Sequence, residues 1–211
     1  MQACPTLDPT DVMVRVGGVC IDKYEASLWD APVGGNQITG AIPCAANGQN
    51  CTNIYARSVA GVLPRGNITW FQAQQALANS GKRMPTNAEW QAAAAGTPGA
   101  ASCNIGPGGS VENTGANVGC ISRFQVNDMV GNVAEWVADW VPQSTGCTNW
   151  GSFSNNGMCL SGASTTASGP GAVVRGGEFT FTVTAEAGVF DVYARHPPYA
   201  SLEVIGFRGA R

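Results

Sequence analysis

Thiols are the most reactive groups in this chain, and their spacing indicates their use. Eight of the 211 residues are cysteine, and they fall as near neighbours: Cys4 and Cys20, Cys44 and Cys51, Cys103 and Cys120, Cys147 and Cys159. None forms a CxxC pair and the one histidine is His196, so the ligand set of a structural zinc site is missing. Four short-loop disulfides in that order are expected, each constraining the unfolded chain by about 2–4 kcal/mol. Such a framework belongs to an oxidising compartment or to the cytoplasm of a thermophile. No cysteine follows Cys159, and His196 stands beside Pro197, where it reads as a loop residue rather than a catalyst.

From Arg175 onward the chain reads as a fixed frame around an arbitrary filling. Arg175-Gly176-Gly177, Ala187-Gly188-Val189-Phe190 and Ile205-Gly206-Phe207-Arg208 are glycine-rich and apolar, as a packed β core requires. Between them Thr180, Phe181, Thr182, Thr184, Asp191, Tyr193, Arg195, His196, Tyr199, Ala200, Leu202 and Val204 share no chemical theme. Aromatic and hydroxyl groups at otherwise unrelated positions are the composition of a recognition surface. A catalytic site, by contrast, has its residue types dictated by the reaction.

The elements that must hold such a surface are short. Glycine and proline make 28 and 12 residues of the chain, so loops are many. Val12 to Glu25 reads as strand, hairpin, strand. Residues 30–66 are rich in Gly, Asn and Ala and read as a loop stapled by a cysteine pair. A helix is expected from Thr69 to Ala78, with Trp70, Ala73 and Leu77 on one face and Gly81 closing it. A second starts at Thr86, where Glu89 three residues later completes a capping box, and ends at Gly96. Residues 97–122 and 142–172 read as further loops, each with a cysteine pair. At least three short strands follow, and no repeat, linker or domain boundary is visible. The fold class is α+β, in a single domain over 1–211.

Composition excludes several partners. A net charge of −3 argues against a nucleic acid, which calls for a basic patch. No apolar run approaches the ~20 residues that span a bilayer. Charged residues are 12%, about half the ~25% of an average domain. No charged and apolar leader precedes a cleavage site, so a mature, truncated or leaderless chain is expected. A monomer is the default for such a domain.

Five collinear segments resemble the formylglycine-generating-enzyme (sulfatase-modifying factor) family. They are Asp22-Lys23-Tyr24-Glu25-Ala26, Lys82-Arg83-Met84-Pro85-Thr86 with Glu89-Trp90, Gly131-Asn132-Val133-Ala134-Glu135-Trp136, Arg175-Gly176-Gly177 and Gly206-Phe207-Arg208. The resemblance implies a variant of the C-type lectin fold, with two helices, short strands and long disulfide-stapled loops. It implies less about activity, because a fold does not fix function. Enzymes of the family oxidise a substrate cysteine with copper held by two cysteines shortly before an Ala-Arg pair. Ala194-Arg195 matches that pair, which puts Ala187 and Val192 at the thiol positions. A copper thiolate site needs soft sulfur ligands, so a catalytic cofactor is not expected. Related iron-dependent sulfoxide synthases need several histidines, which this chain lacks. The family also implies a structural calcium ion, held by side-chain oxygens of Asp128 and Glu135 and by the carbonyls of Gly131 and Val133. Hard oxygen donors suit calcium; the alternative is that Glu135 caps backbone amides in a buried turn.

A narrower resemblance is to the variable proteins of diversity-generating retroelements, carried by Ala187-Gly188-Val189-Phe190, Pro197-Pro198 and Ile205 to Arg211. In that family a template is copied with errors at adenines, mostly in asparagine codons, which cannot yield Lys, Gln, Met, Trp or Glu. Residues 178–204 contain no Lys, Gln, Met or Trp, as that mechanism requires, whereas Glu178, Glu186 and Glu203 must be fixed or arise from other codons. The expected function is a non-enzymatic, hypervariable ligand-binding protein whose variable region is approximately 175–211. Its partner would be a protein or cell-surface ligand, and its place extracytoplasmic, on a cell surface or phage particle. The rivals are an oxidase or other enzyme of the same fold and a structural paralogue without a ligand. On the first reading the twelve filling residues gather on one exposed face, with Val189, Phe190, Ile205 and Phe207 inward.

Overall fold

A computed structural model of the chain describes residues 4–99, 102–106, 108–142, 170–181 and 187–211. Strands β1 (Met13–Val16) and β2 (Val19–Asp22) form an antiparallel hairpin across Gly17-Gly18, a dipeptide suited to tight hairpin turns. Strand β3 (Ser27–Trp29) pairs antiparallel with β4 (Tyr55–Arg57). Thus the 30–66 stretch expected as loop also carries a three-residue strand, too short to leave a period in the sequence.

Helix α1 spans Trp70–Asn79 and α2 spans Asn87–Ala93. Both open on threonine capping boxes, Thr69 with Gln72 and Thr86 with Glu89, so each start satisfies two backbone donors that would otherwise lack partners. The Thr86 box was expected from sequence. At Thr69 glutamine plays the glutamate's part.

The main sheet takes β5 (Ala134–Pro142), β6 (Pro170–Arg175), β7 (Val192–His196) and β8 (Ile205–Phe207) in the order β7-β6-β5-β8. Strand β8 runs parallel to β5, and the other pairs are antiparallel. Both faces of this sheet are covered. On one side Trp136, Val174, Tyr193, Ile205 and Phe207 pack with Ala73 and Leu77 of α1. On the other, Val137, Val173, Val192 and Ala194 pack with Trp90 of α2 and Ile21 of the hairpin. Successive residues of β7 therefore enter two different cores, as side-chain alternation along a strand requires when neither face meets water.

Cystine bridges pin the loops as the cysteine spacing implied: Cys4–Cys20, Cys44–Cys51 and Cys103–Cys120 are bonded. The expected Cys147–Cys159 pair lies outside the described residues. At the C-terminus, Cys20 and Arg211 exchange backbone hydrogen bonds, and so do Arg83 and Ala210. The last residues are thereby stitched between the hairpin and the segment leading into α2.

Candidate functional site

The segments that carry the family resemblance lie far apart in sequence and converge on one buried charge network. Arg208, fully buried, donates from Nε to Glu135 Oε2 at 2.6 Å and from Nη2 to Oε1 at 2.5 Å. Its Nη1 reaches the Asp22 carbonyl at 3.0 Å, and Nη2 also reaches that of Asn127. Trp90 Nε1 donates to Glu135 Oε2 at 2.7 Å, which clips α2 to β5. Close by, Glu25 accepts from the Val133 amide and from Asn132 Nδ2. A second buried group joins Lys82 to Asp11 at 2.6 Å and to Asp22 at 2.7 Å, with Asp22 also accepting from the Gly209 amide. Satisfied buried ions of this kind fix register: each is costly if its partner moves.

Both oxygens of Glu135, one of the expected calcium ligands, accept hydrogen bonds, from Arg208 and Trp90. Asp128 accepts from the Gly115 amide at 2.6 Å, and its own carbonyl lies beside Arg208 Nη2. Among the described residues no group of three or more His, Cys, Asp or Glu converges as metal ligands. In the turn that carries the expected carbonyl donors, Gly131 donates its amide to the Gly176 carbonyl and Val133 donates its amide to Glu25. Glu135 neither caps amides, as the alternative reading had it, nor faces outward for a cation.

Glu25, Asp128 and Glu135 all face that one guanidinium, and Glu25 and Asp128 hold their protons more tightly for being buried together. Burial pushes Asp128 up to about 6, with Glu135 and Glu112 adding repulsion against the Gly115 amide and Arg208. Glu25 is raised well above the usual range by burial and then by Asp128 and Glu135. Unfolded, Asp128 ionises near 3.8. Between those values the folded state holds the extra proton, so stability falls as pH rises from about 4 to about 6. The dependence from Asp128 is worth up to about 3 kcal/mol. Melting temperatures measured with EDTA present should decline across this window, and Asp128→Asn should flatten the decline. Asparagine also tolerates the positive φ of 57° found there. EDTA itself should leave the pH 7 melting temperature unchanged; a drop would restore calcium as the neutralising charge.

Above this network sits the C-terminal block. Arg175 stacks over Trp90 at 4.6 Å, bonds Gln91 and donates to the Val189 carbonyl at 2.9 Å. Burial lowers its pKa to about 10, with Asp191 acting the other way. Gly176 follows at φ +91°, and a Cβ there would lie 3.0 Å from the Met129 carbonyl, so only glycine fits the turn without strain. The two thiol positions of the related enzymes are apolar packing here. Ala187 lies against the Cys103–Cys120 bridge and Val192 lies in the α2-side core.

The expected variable residues divide. Thr180, Arg195 and Tyr199 are exposed, and His196 is half-buried. Arg195 lies over the Tyr193 ring at 4.8 Å and meets His196, whose ring packs edge-on to Tyr193. Ala200, Leu202 and Val204 are half-buried against the α1-side core, while Phe181 leans on the separate cluster around Ala187. Thr182 and Thr184 lie outside the described residues. Asp191 and Tyr193 correct the expectation of exposure: they are 5% and 4% exposed. Strand β7 is covered on both faces, so alternation sends Tyr193 into one core rather than out to solvent. Burial pushes the Tyr193 phenol well up. Phe190 is corrected in the other direction. It is 53% exposed, because a turn closed by Asp191 N donating to Gly188 O carries it. Val189, Ile205 and Phe207 do point inward.

Sequence reading passed over Lys82, Asp11 and Glu25 as buried partners. Lys82 and Glu25 stand in the segments that carry the family resemblance, whereas Asp11 stands outside them and left no signal. The assembly of helices, sheet and stapled loops defines a C-type-lectin-like α+β domain. The sulfatase-modifying factor enzyme 1-like domain model matches residues 20–211, and the chain belongs to that family. The I1 variant of the Major Tropism Determinant superposes with a TM-score of 0.59 at 21% identity, covering 99% of this chain and 54% of that one. The CarF structure gives a TM-score of 0.50 at 16% identity, covering 95% of this chain and 92% of CarF. A serine/threonine-protein kinase of Chlamydia pneumoniae, pkn1, is 36% identical over 83 residues, 35% of this chain and 13% of the kinase. The chain thus spans about half the length of the Major Tropism Determinant and a small part of the kinase.

Proposed function

We propose that this chain is a non-enzymatic ligand-binding protein whose block at approximately 175–211 is diversified, as in the variable proteins of retroelements. The observation that carries this reading is the division inside that block. Arg175, Gly176, Ala187, Ile205, Phe207 and Arg208 are buried in the scaffold, whereas Thr180, Phe190, Arg195 and Tyr199 project from turns and from the sheet-edge strand β7. Exposed positions away from special features usually change stability within about ±0.5 kcal/mol, so they tolerate variation that the frame would not. The likeness in fold to a protein named for determining tropism supports recognition as the task. The partner is a protein or cell-surface molecule rather than a nucleic acid. The disulfides suit an extracytoplasmic place, on a cell surface or phage particle.

Tyr199, rigid, amphipathic and 69% exposed, is the main expected affinity anchor. Oxidation is the rival activity, and it is tested directly. Incubation with copper, oxygen and a cysteine-containing sulfatase peptide should leave the peptide mass unchanged, since Ala187 and Val192 offer no sulfur to copper. Appearance of the aldehyde product would overturn the binding-only reading.

A further inference from the structure

Of the chain's two lysines, Lys82 is the buried one, and both acids that meet its ammonium are buried too. Nζ lies 2.6 Å from Asp11 Oδ1 and 2.7 Å from Asp22 Oδ1. The side chains of Lys82, Asp11 and Asp22 are 1%, 6% and 0% exposed. A primary amine is thus held against a carboxyl group with water kept out. Such a pair can react as well as support the fold, because an amine and a carboxylic acid condense to an amide with loss of water. A dry site favours that product over hydrolysis, and reacting groups already in contact have lost the freedom that makes the step slow in solution.

The two acids are placed for different parts. Asp22 turns Oδ1 to Lys82, while its Oδ2 accepts from the Gly209 amide at 2.6 Å. A backbone donor there stabilises the negative charge that gathers on that oxygen when an amine adds to the carboxyl carbon. Only glycine allows the approach: a Cβ at position 209 would lie 2.7 Å from Asp22 Oδ2 and 2.8 Å from Lys82 Cδ. Burial raises the Asp22 carboxyl, with Lys82 opposing and Asp11 adding to the rise, which brings the neutral acid closer. Asp11 uses its Oδ1 twice, accepting from the Ser58 amide at 2.7 Å as well as from Lys82. It is in reach to take a proton from the amine and return it.

We propose that Lys82 and Asp22 form an intramolecular amide cross-link, with Asp11 as the proton carrier. The ammonium passes one proton to Asp22 Oδ1, leaving a neutral amine and a neutral acid. Nζ then attacks Cγ, its second departing proton goes to Asp11, and the charge on Oδ2 is met by the Gly209 amide. The Cγ–Oδ1 bond breaks, and Oδ1 leaves as water with the proton that Asp11 returns. Nothing is oxidised or reduced. Two buried charges become one neutral amide, which removes the desolvation cost of the ion pair. The link ties β2 to the segment leading into α2, 60 residues on. It constrains the unfolded chain as a disulfide does, but no reductant opens it. It goes beyond the diversified face, and its failure leaves the recognition reading standing.

Intact mass spectrometry of the purified full chain, denatured and reduced so that cystines do not contribute, reads the reaction directly. The parent should be lighter than its sequence mass by one water, and a digest should yield a branched peptide joining Asp22 to Lys82. Lys82→Arg keeps the charge without a primary amine and should show its full sequence mass. Asp11→Asn still accepts from the Ser58 amide but cannot carry the proton, and should slow linking about a hundredfold. The parent measurement needs no variant, so the proposal remains falsifiable if a variant fails to fold. A folded parent at full mass overturns it, as does loss of water without the branched peptide, or a branch at Asp11 instead of Asp22. A folded Asp11→Asn linked as fully as the parent overturns the role given to Asp11.

Discussion

Arg208→Ala is expected to leave the protein unfolded at room temperature, or to cost about 3–5 kcal/mol if the fold survives. The guanidinium is fully buried and supplies two of the three hydrogen bonds to Glu135, as well as bonds to the carbonyls of Asp22 and Asn127. Its removal leaves Glu135, and with it Glu25 and Asp128, without the one cation that faces them among the described residues. Two carbonyls lose their donor as well. Arg208→Lys offers one charge but no fork, and should recover only part of the loss. The surface pair Arg83–Glu89, with Arg83 44% exposed in its side chain, is the control. Although that arginine holds the Glu89 carboxyl down to about 2, Arg83→Ala should cost no more than about 1 kcal/mol, because water screens it. Urea denaturation of the three variants checks the ordering. A loss below about 1 kcal/mol for Arg208→Ala would mean that something other than this guanidinium neutralises the cluster.

The second large effect separates two phenylalanines that look alike in sequence. Phe207→Ala should cost roughly 3–5 kcal/mol, the usual range for emptying a large buried ring site. Phe207 is fully buried on β8, beside Trp136 in the α1-side core. Phe190→Ala should stay within about 1 kcal/mol, since a half-exposed ring has little cavity to leave. Thermal or chemical denaturation of both distinguishes them. Equal losses would place Phe190 in the core that its apolar frame first suggested.

That contrast marks the limit of what was legible. The helices could be read because their signals are local: Thr86 and Glu89 stand three residues apart, and the capping box needs nothing else. Three disulfides could be read for the same reason. Apolar frame residues said which segments were fixed, but not which face of each was covered. Val192-Tyr193-Ala194 held a clue, being an apolar run of the kind that marks a strand buried on both sides. Its tyrosine reads as a surface aromatic only because it stands in the filling between the frame segments. Glu135 and Arg208 illustrate another limit. They are 73 residues apart, and an ion pair at that separation leaves no periodic trace. Spacing can place oxygen donors such as Glu135 on a turn but cannot say that a guanidinium also reaches them, as Arg208 does.

Diversification itself is the central claim, and codon-level sequencing of the segment encoding residues 175–211 across a natural population tests it most directly. Substitutions should concentrate at adenines in the codons of exposed and half-buried residues, with Thr180, Arg195, His196, Tyr199, Ala200 and Leu202 varying most. Codons for Arg175, Gly176, Gly177, Phe207 and Arg208 should stay constant, and a template repeat beside a reverse-transcriptase gene should match the segment. Buried Asp191 and Tyr193 should vary less than Arg195, since each change there must be accommodated by a packed core. Variation spread evenly over frame and filling, or absent from the exposed codons, would contradict the account.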